Sequence, residues 1–158
     1  MSKVLIIEPE RCTSCRLCEI VCAEQHGGAY QLSRSRIQLE IDGTGVSCFP
    51  KVCFQCEDAP CIEACPTEAL RRDPDTKVVV LVEGRCEECG LCGPACPYGV
   101  LNCEDGKPRK CDTCGGHPAC VFACILGALR FEERDQWADS ARDAYIKQLR
   151  GLHGEAAS

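Results

Sequence analysis

Three things are scarce in this chain of 158 residues: aromatic side chains, an excess of positive charge, and long apolar runs. Aromatics make up 5% of the residues, with one tryptophan, so large rings cannot carry the core. Eighteen Lys and Arg stand against 24 Asp and Glu, a formal net charge of -6, and the basic residues occur as singles and short pairs such as Arg71-Arg72 and Arg109-Lys110. That balance excludes the basic stripe of a nucleic-acid surface. No stretch approaches the roughly 20 apolar residues of a membrane span. The start, MSKVLIIEPERC, offers only Val4 to Ile7 before Glu8 and Pro9, a strand's length rather than a secretory signal's apolar region, and no twin-arginine motif precedes it. The expected location is the cytoplasm.

Cysteine is what the chain has in abundance: eighteen, about 11% of the residues, above the roughly 8–10% at which a short secreted chain reads as a disulfide scaffold. In a reducing compartment the same density points to metal binding. Sixteen of the eighteen fall into four groups of four. Cys12, Cys15, Cys18 and Cys22 are spaced CxxCxxCxxxC, and Cys86, Cys89, Cys92 and Cys96 repeat that spacing with Pro97 after it. Cys53, Cys56, Cys61 and Cys65 read CxxCxxxxCxxxC followed by Pro66, and Cys111, Cys114, Cys120 and Cys124 are one residue longer again between the second and third cysteines. Cys48 and Cys103 are left over and are assigned as non-ligands: Cys48 as a small buried hydrophobe sharing the parity of Val46, Cys103 as part of a turn-rich segment.

Three thiolates at short intervals on a tight loop can hold three corners of an iron–sulfur cube while backbone amides point at its sulfides. Gly90, Gly93, Gly115 and Gly116 let the backbone approach closely. Zinc is the rival, since CxxC pairs also build tetrahedral sites, but such sites draw on two separated pairs. Here two groups carry a third cysteine at the same short interval, and all four end in CxxxC. In the run CxxCxxCxxxCP of bacterial ferredoxins the fourth cysteine ligates the other cluster of a two-cluster protein. The proline restricts that cysteine to extended geometry and turns the chain away. Groups two and three both end in Cys-Pro and lie about twenty residues apart with VVVLV between them, so together they look like a complete two-cluster ferredoxin. Groups one and four, with Ala23 and Ile125 in place of proline, are left to pair across it.

An internal repeat supports this division. VLIIEPERCTSCRLC matches VVLVEGRCEECGLC, and CIEACPTEALR matches CVFACILGALR. The segments VLII and GALRF are strand candidates at the two ends of the outer unit. Residues 23–52 hold an insert in which Ile37, Leu39 and Ile41 alternate with polar residues, followed by DGTG and VSCFP, a predicted hairpin with one buried face. From Asp135 to Arg150 the residues Trp137, Ala141, Tyr145 and Leu149 form a stripe at four-residue spacing, with Gly151 as the predicted stop. That helix either packs on its own domain or docks a partner, and the final GEAAS is expected to fray. His26, His117 and His153 show no pattern of a catalytic base; His117, in GGHPAC, is the one placed to touch cluster sulfur.

At these four groups the chain resembles the four-cluster, ferredoxin-like electron-transfer subunits that accompany molybdenum and tungsten pterin oxidoreductases, hydrogenases and carbon monoxide dehydrogenases. The resemblance covers residues 3–131 and is nearest to the small iron–sulfur subunit of a bacterial tungsten-dependent aldehyde oxidoreductase. It implies an α+β fold of two ferredoxin-like modules related by pseudo-twofold symmetry: a central module of about 50–100 inserted in an outer module of 1–30 plus 104–131, then a helical tail at 132–158. It implies four [4Fe-4S] clusters, held by Cys12, Cys15, Cys18 with Cys124; Cys111, Cys114, Cys120 with Cys22; Cys53, Cys56, Cys61 with Cys96; and Cys86, Cys89, Cys92 with Cys65. The implied role is a non-catalytic wire in a hetero-oligomer of anaerobic metabolism, between a large pterin-containing catalytic subunit and a second redox partner such as a flavin or NAD-binding subunit. A free polyferredoxin carrier is the alternative, as is a subunit of a hydrogenase, formate dehydrogenase or carbon monoxide dehydrogenase. Clusters at both ends of such a wire also leave room for end-to-end self-association.

Overall fold

The computed structural model describes residues 3–27, 30–45, 47–103 and 105–153. Among the described residues six short strands pair as three antiparallel ribbons, and four α-helices pack around them, giving a small α+β fold. No helix is long and apolar enough to cross a membrane among the described residues.

The first ribbon closes the ends of the cysteine-bearing region on each other. β1, Lys3–Ile7, pairs with β6, Leu129–Glu133, in a register that sets Lys3 opposite Glu133 and Ile7 opposite Leu129. These are the two strand candidates that flank groups one and four, and their apolar residues explain the pairing: Val4 to Ile7 are all buried, as is Leu129. The second ribbon is the predicted hairpin, β2 (Ile37–Ile41) with β3 (Cys48–Val52). Ile37 and Val52 are buried, whereas Ile41, expected on the buried face, is exposed at the end of its strand. The third ribbon, β4 (Leu70–Arg72) with β5 (Val79–Leu81), joins the end of group two to the start of group three. An Asp73-centred turn closes it, with Asp73 Oδ1 accepting from the backbone N–H groups of Asp75 and Thr76.

Helix α1, Leu17–Gly27, carries Cys18 and Cys22 and occupies the first part of the segment read as an insert. It is anchored to the hairpin by Glu19, which is buried yet fully used: one carboxylate oxygen accepts from the Leu39 N–H at 3.0 Å and the other from Arg16 Nε at 2.6 Å. A buried acid is tolerated when its oxygens are satisfied in this way. Short helices α2 (Pro60–Glu63) and α3 (Ala119–Ala123) lead into the fourth cysteines of groups two and four.

Helix α4 spans Gln136–His153 and starts at Asp135, whose side chain accepts the Ala138 N–H. Two expectations are corrected here. The helix runs through Gly151 instead of stopping at it, and its buried face is Ala138, Tyr145, Ile146 and Leu149, not a stripe led by Trp137. Trp137 is half exposed, with the Arg130 guanidinium 4.9 Å from its ring centre. Tyr145, Ile146 and Leu149 join Leu5, Ile7, Ile37, Val52, Phe54, Val100 and Leu129 in the main core. Each such side chain contributes about 1.5–3 kcal/mol on burial. Phe54 stands edge-on to Tyr98 and near Tyr145, and Tyr145 Oη donates to the Pro50 carbonyl at 2.9 Å. The apolar face of the helix is thus used inside the chain, as a brace across β1, the hairpin and the Phe54–Tyr98 region. The GEAAS segment lies outside the described residues.

Candidate metal centres

The backbone of each cysteine loop follows one rule. The residue immediately before the second cysteine is left-handed in all four: Ser14 (φ 57°), Gln55 (φ 53°), Glu88 (φ 55°) and Thr113 (φ 57°). In three loops the residue after that cysteine is left-handed too, Arg16, Gly90 and Gly115. A left-handed non-glycine residue costs about 1–2 kcal/mol, so four of them at one position mark a constraint that function imposes. In groups one and three this alternation curls successive N–H groups to one side, the concave arrangement that receives anionic and iron–sulfur groups, whereas in group four Thr113, Cys114, Gly115 and Gly116 are left-handed in succession. Donation already begins within the loops: the Gln55 N–H reaches Cys53 Sγ at 3.4 Å, and the N–H groups of Ser14 and Thr113 hydrogen-bond Cys12 and Cys111.

A second rule governs the exit from the fourth cysteines. After Cys65, Cys96 and Cys124 the third residue, Glu68, Gly99 or Gly127, is left-handed, and its N–H donates to that cysteine's carbonyl at 3.0–3.3 Å. Group four makes this turn without proline because the Ile125 N–H finds the Ala123 carbonyl at 3.0 Å. Group one does not make it, since Cys22 lies inside α1.

The cysteines line recesses in sets that cross between loops. One recess is lined by Cys12, Cys15, Cys18 and Cys124. A second is lined by Cys53, Cys56, Cys61 and Cys96, and a third by Cys65, Cys86, Cys89 and Cys92. The remaining four gather around Cys22: Cys111, Cys114 and Cys120 each lie near enough to feel its charge. Cys111 also feels the charge of Cys53, and Cys120 that of Cys18, so neighbouring sets adjoin one another. Of the eighteen cysteines, Cys15 and Cys89 are the exposed ones.

The electrostatics of these sets call for a cation in each. Burial, reinforced by Cys53, Cys96 and Asp58, pushes the Cys56 thiol up to about 11. Burial with Glu19 takes Cys18 to about 12, burial with Cys103 takes Cys92 to about 12, and burial with Cys53 takes Cys111 to about 12. Cys65 is the exception. Burial pushes it up, but N–H groups of Leu70, Thr67 and Ala69 and the Thr67 hydroxyl together hold it below the ordinary thiol range. Four such thiols in one apolar recess ionise together only when a positive core neutralises them, which is the donor chemistry of a metal centre. The side chain of Lys110 points to the same charge balance. It is 3% exposed, bonds Gln55 Oε1 at 3.3 Å and the Cys111 carbonyl at 2.9 Å, and has no carboxylate partner among the described residues. A buried ammonium of this kind is compensated by negative charge nearby.

The two remaining cysteines each touch a member of the sets. Cys48 is buried on β3, hydrogen-bonded to Cys12, and lines with Cys12, Phe49 and Gln148 an open groove. Cys103 Sγ is 3.7 Å from Cys92 Sγ and packs on Gly93. Sequence reasoning singled out His117, which is exposed; the histidine at a cysteine is His26, with Nε2 3.5 Å from Cys114 Sγ. Asp112 stands beside both, held by Arg36 at 2.8 Å and accepting the Cys114 N–H at 2.9 Å. Lys110, Gln55, His26 and Asp112 carried no sequence signal of their own, because they meet their partners across 55 to 88 positions of chain.

Comparison with known proteins gives the family. Residues 44–134 match the 4Fe-4S dicluster domain. The chain is 43% identical over 122 residues to the polyferredoxin-like subunit of an aliphatic sulfonate oxidoreductase from Pyrococcus furiosus, covering 76% of this chain and 70% of the relative. It is 31% identical over 181 residues to an iron–sulfur protein of Rhodospirillum rubrum, covering 95% and 92%. Its fold is shared with a chain in the active-site complex BamBC of benzoyl coenzyme A reductase bound to benzoyl-CoA, with a TM-score of 0.50 at 23% identity, over 92% of this chain and 89% of that one. The chain belongs to the 4Fe-4S dicluster domain family, the ferredoxin-type iron–sulfur proteins of electron transfer.

Proposed function

We propose that the chain is a non-catalytic wire of four [4Fe-4S] clusters in a cytoplasmic oxidoreductase complex. The observation that carries this reading is the crossing of the cysteine sets, in which three thiols of one loop share a recess with the fourth of another. Under it Cys86, Cys89, Cys92 with Cys65 hold the first cluster and Cys53, Cys56, Cys61 with Cys96 the second. Cys111, Cys114, Cys120 with Cys22 hold the third and Cys12, Cys15, Cys18 with Cys124 the fourth. A bound cluster supplies a reversible one-electron site whose potential follows its charge, hydrogen bonds and exposure. The chain's residues do the rest: the left-handed loops aim N–H groups inward, apolar walls exclude water, and the exchanged cysteines keep neighbours close. The exchange of Cys65 and Cys96 between their loops and the adjacency of Cys53 with Cys111 and of Cys18 with Cys120 support that order, and the exposed Cys15 and Cys89 then stand at opposite ends.

The domain division follows the same logic, with a central module of about 50–100 closed by the β4–β5 ribbon, an outer module of 1–30 and 104–131 closed by β1–β6, pseudo-twofold symmetry between them, and the tail 132–158. The partner is a large catalytic subunit with a tungsten or molybdenum pterin, an aldehyde oxidoreductase type being our first choice. The relative from P. furiosus is named as a subunit of an oxidoreductase and so supports a subunit role. A flavin or NAD-binding subunit would take the other end. The experiment is anaerobic purification through a tag on this chain. Co-elution of a large pterin-containing chain that reduces the bound clusters with its substrate supports the proposal. A chain that elutes alone and reduces several unrelated acceptors makes it a free carrier instead.

A further inference from the structure

We propose that Lys110, held by Gln55, is the residue that sets the electron affinity of the two inner clusters and so makes the crossing between modules the low point of the wire. This rests on the four-cluster reading above. The geometry is specific. Lys110 immediately precedes Cys111, lines the recess of Cys53, Cys56, Cys61 and Cys96, and acts electrostatically on both Cys61 and Cys111. It therefore faces two sets at the place where the modules meet.

Gln55 fixes it there. This side chain spans the junction, with Nε2 donating to the Cys111 carbonyl at 2.9 Å and Oε1 accepting from both the Val79 N–H at 2.9 Å and Lys110 Nζ at 3.3 Å. Gln55 is also the left-handed residue of the group-two loop, so its side chain is aimed by the same backbone strain that shapes the cluster nest. A neutral amide in that position is informative: a carboxylate would satisfy the ammonium just as well and would cancel its charge. With an amide the positive charge stays available to the groups in the two recesses. A reduced cluster carries one more negative charge than an oxidised one, so a nearby buried cation favours reduction. The internal repeat shows that this is not a general feature of the fold: group two is the counterpart of group four, and the residue preceding its first cysteine, Cys53, is Val52, a buried apolar residue of the core.

The test is a potentiometric titration of the purified protein followed by electron paramagnetic resonance, with iron measured on every sample. Lys110→Gln is expected to lower the electron affinity of two clusters about tenfold, which is a shift of about 59 mV for a one-electron couple, and to leave the other two in place. Lys110→Arg should restore them. Gln55→Glu, which leaves Lys110 in place and neutralises it, should move the same two clusters in the same direction. The proposal is overturned if neither Lys110→Gln nor Gln55→Glu shifts any cluster, if the shift spreads evenly over all of them, or if Lys110→Arg behaves like Lys110→Gln. Failure of the four-cluster reading would show separately, as an iron content far from about sixteen in the unaltered protein.

Discussion

The two recesses that contain an exposed cysteine are built alike and dressed differently. Around Cys15 exposed apolar and basic residues mix: Leu17, Ile125 and Leu126 line that recess beside the exposed Arg11 and Arg16, and Phe122, 76% exposed, stands one turn of α3 away. Around Cys89 acidic residues predominate among the exposed ones: Glu87 and Glu88 lie within the loop and Glu83 just before it, beside the exposed Arg85 and Leu91. The repeat makes the contrast sharper, because Glu63, Pro66 and Thr67 occupy in CIEACPTEAL the positions of Phe122, Ile125 and Leu126 in CVFACILGAL. Cysteine spacing and left-handed residues thus determine what each loop holds, and the residues between them are free to decide what each end meets.

The comparison can be broken first at the shared cysteines. Cys124→Ala and Cys65→Ala each remove the thiol that one loop lends to another, and each should cost about four irons of about sixteen. The loss should fall on the Cys15 end in the first variant and on the Cys89 end in the second, as read by iron analysis and by which resonance disappears. Loss of the same resonance in both would mean the sets do not cross. Gly106→Ala strikes only the acidic end: an added Cβ would lie 2.1 Å from the Glu88 carbonyl oxygen, on a backbone with φ 81°. It should lower stability by roughly 2–4 kcal/mol, seen as a fall in the thermal midpoint. At low salt, Glu87→Gln with Glu88→Gln should slow reduction by a cationic one-electron mediator about threefold, an effect that vanishes at high salt and is absent for a neutral mediator. The smallest effect distinguishes the turns. Glu68→Gly should stabilise the central module by about 1 kcal/mol in urea unfolding, while Gly127→Ala at the equivalent outer position should destabilise by a similar amount.

Much of this was legible in the sequence because it is local. Strands β1, β5 and β6, the β2–β3 hairpin and the existence of α4 follow from runs of Val, Ile and Leu and from periodicity, and the cysteine groups follow from spacing. What escaped depends on tertiary contact. Gly151 is a good stop in isolation, but Leu149 and Ile146 pack into the core and carry the helix past it. The missing proline after Cys124 looked like a departure, yet the backbone recovers the turn with an Ile125 hydrogen bond that no spacing rule contains. Left-handed Ser14, Gln55, Glu88 and Thr113 share no residue type, so only the backbone shows that they occupy one position. The Lys110–Gln55 junction is invisible until the loops of groups two and four are brought together.

The most direct measurement is metal analysis of the chain purified without oxygen, with its visible spectrum. The account predicts a brown protein with about sixteen irons per chain and no zinc. A colourless protein with stoichiometric zinc, or one with about eight irons, would contradict it.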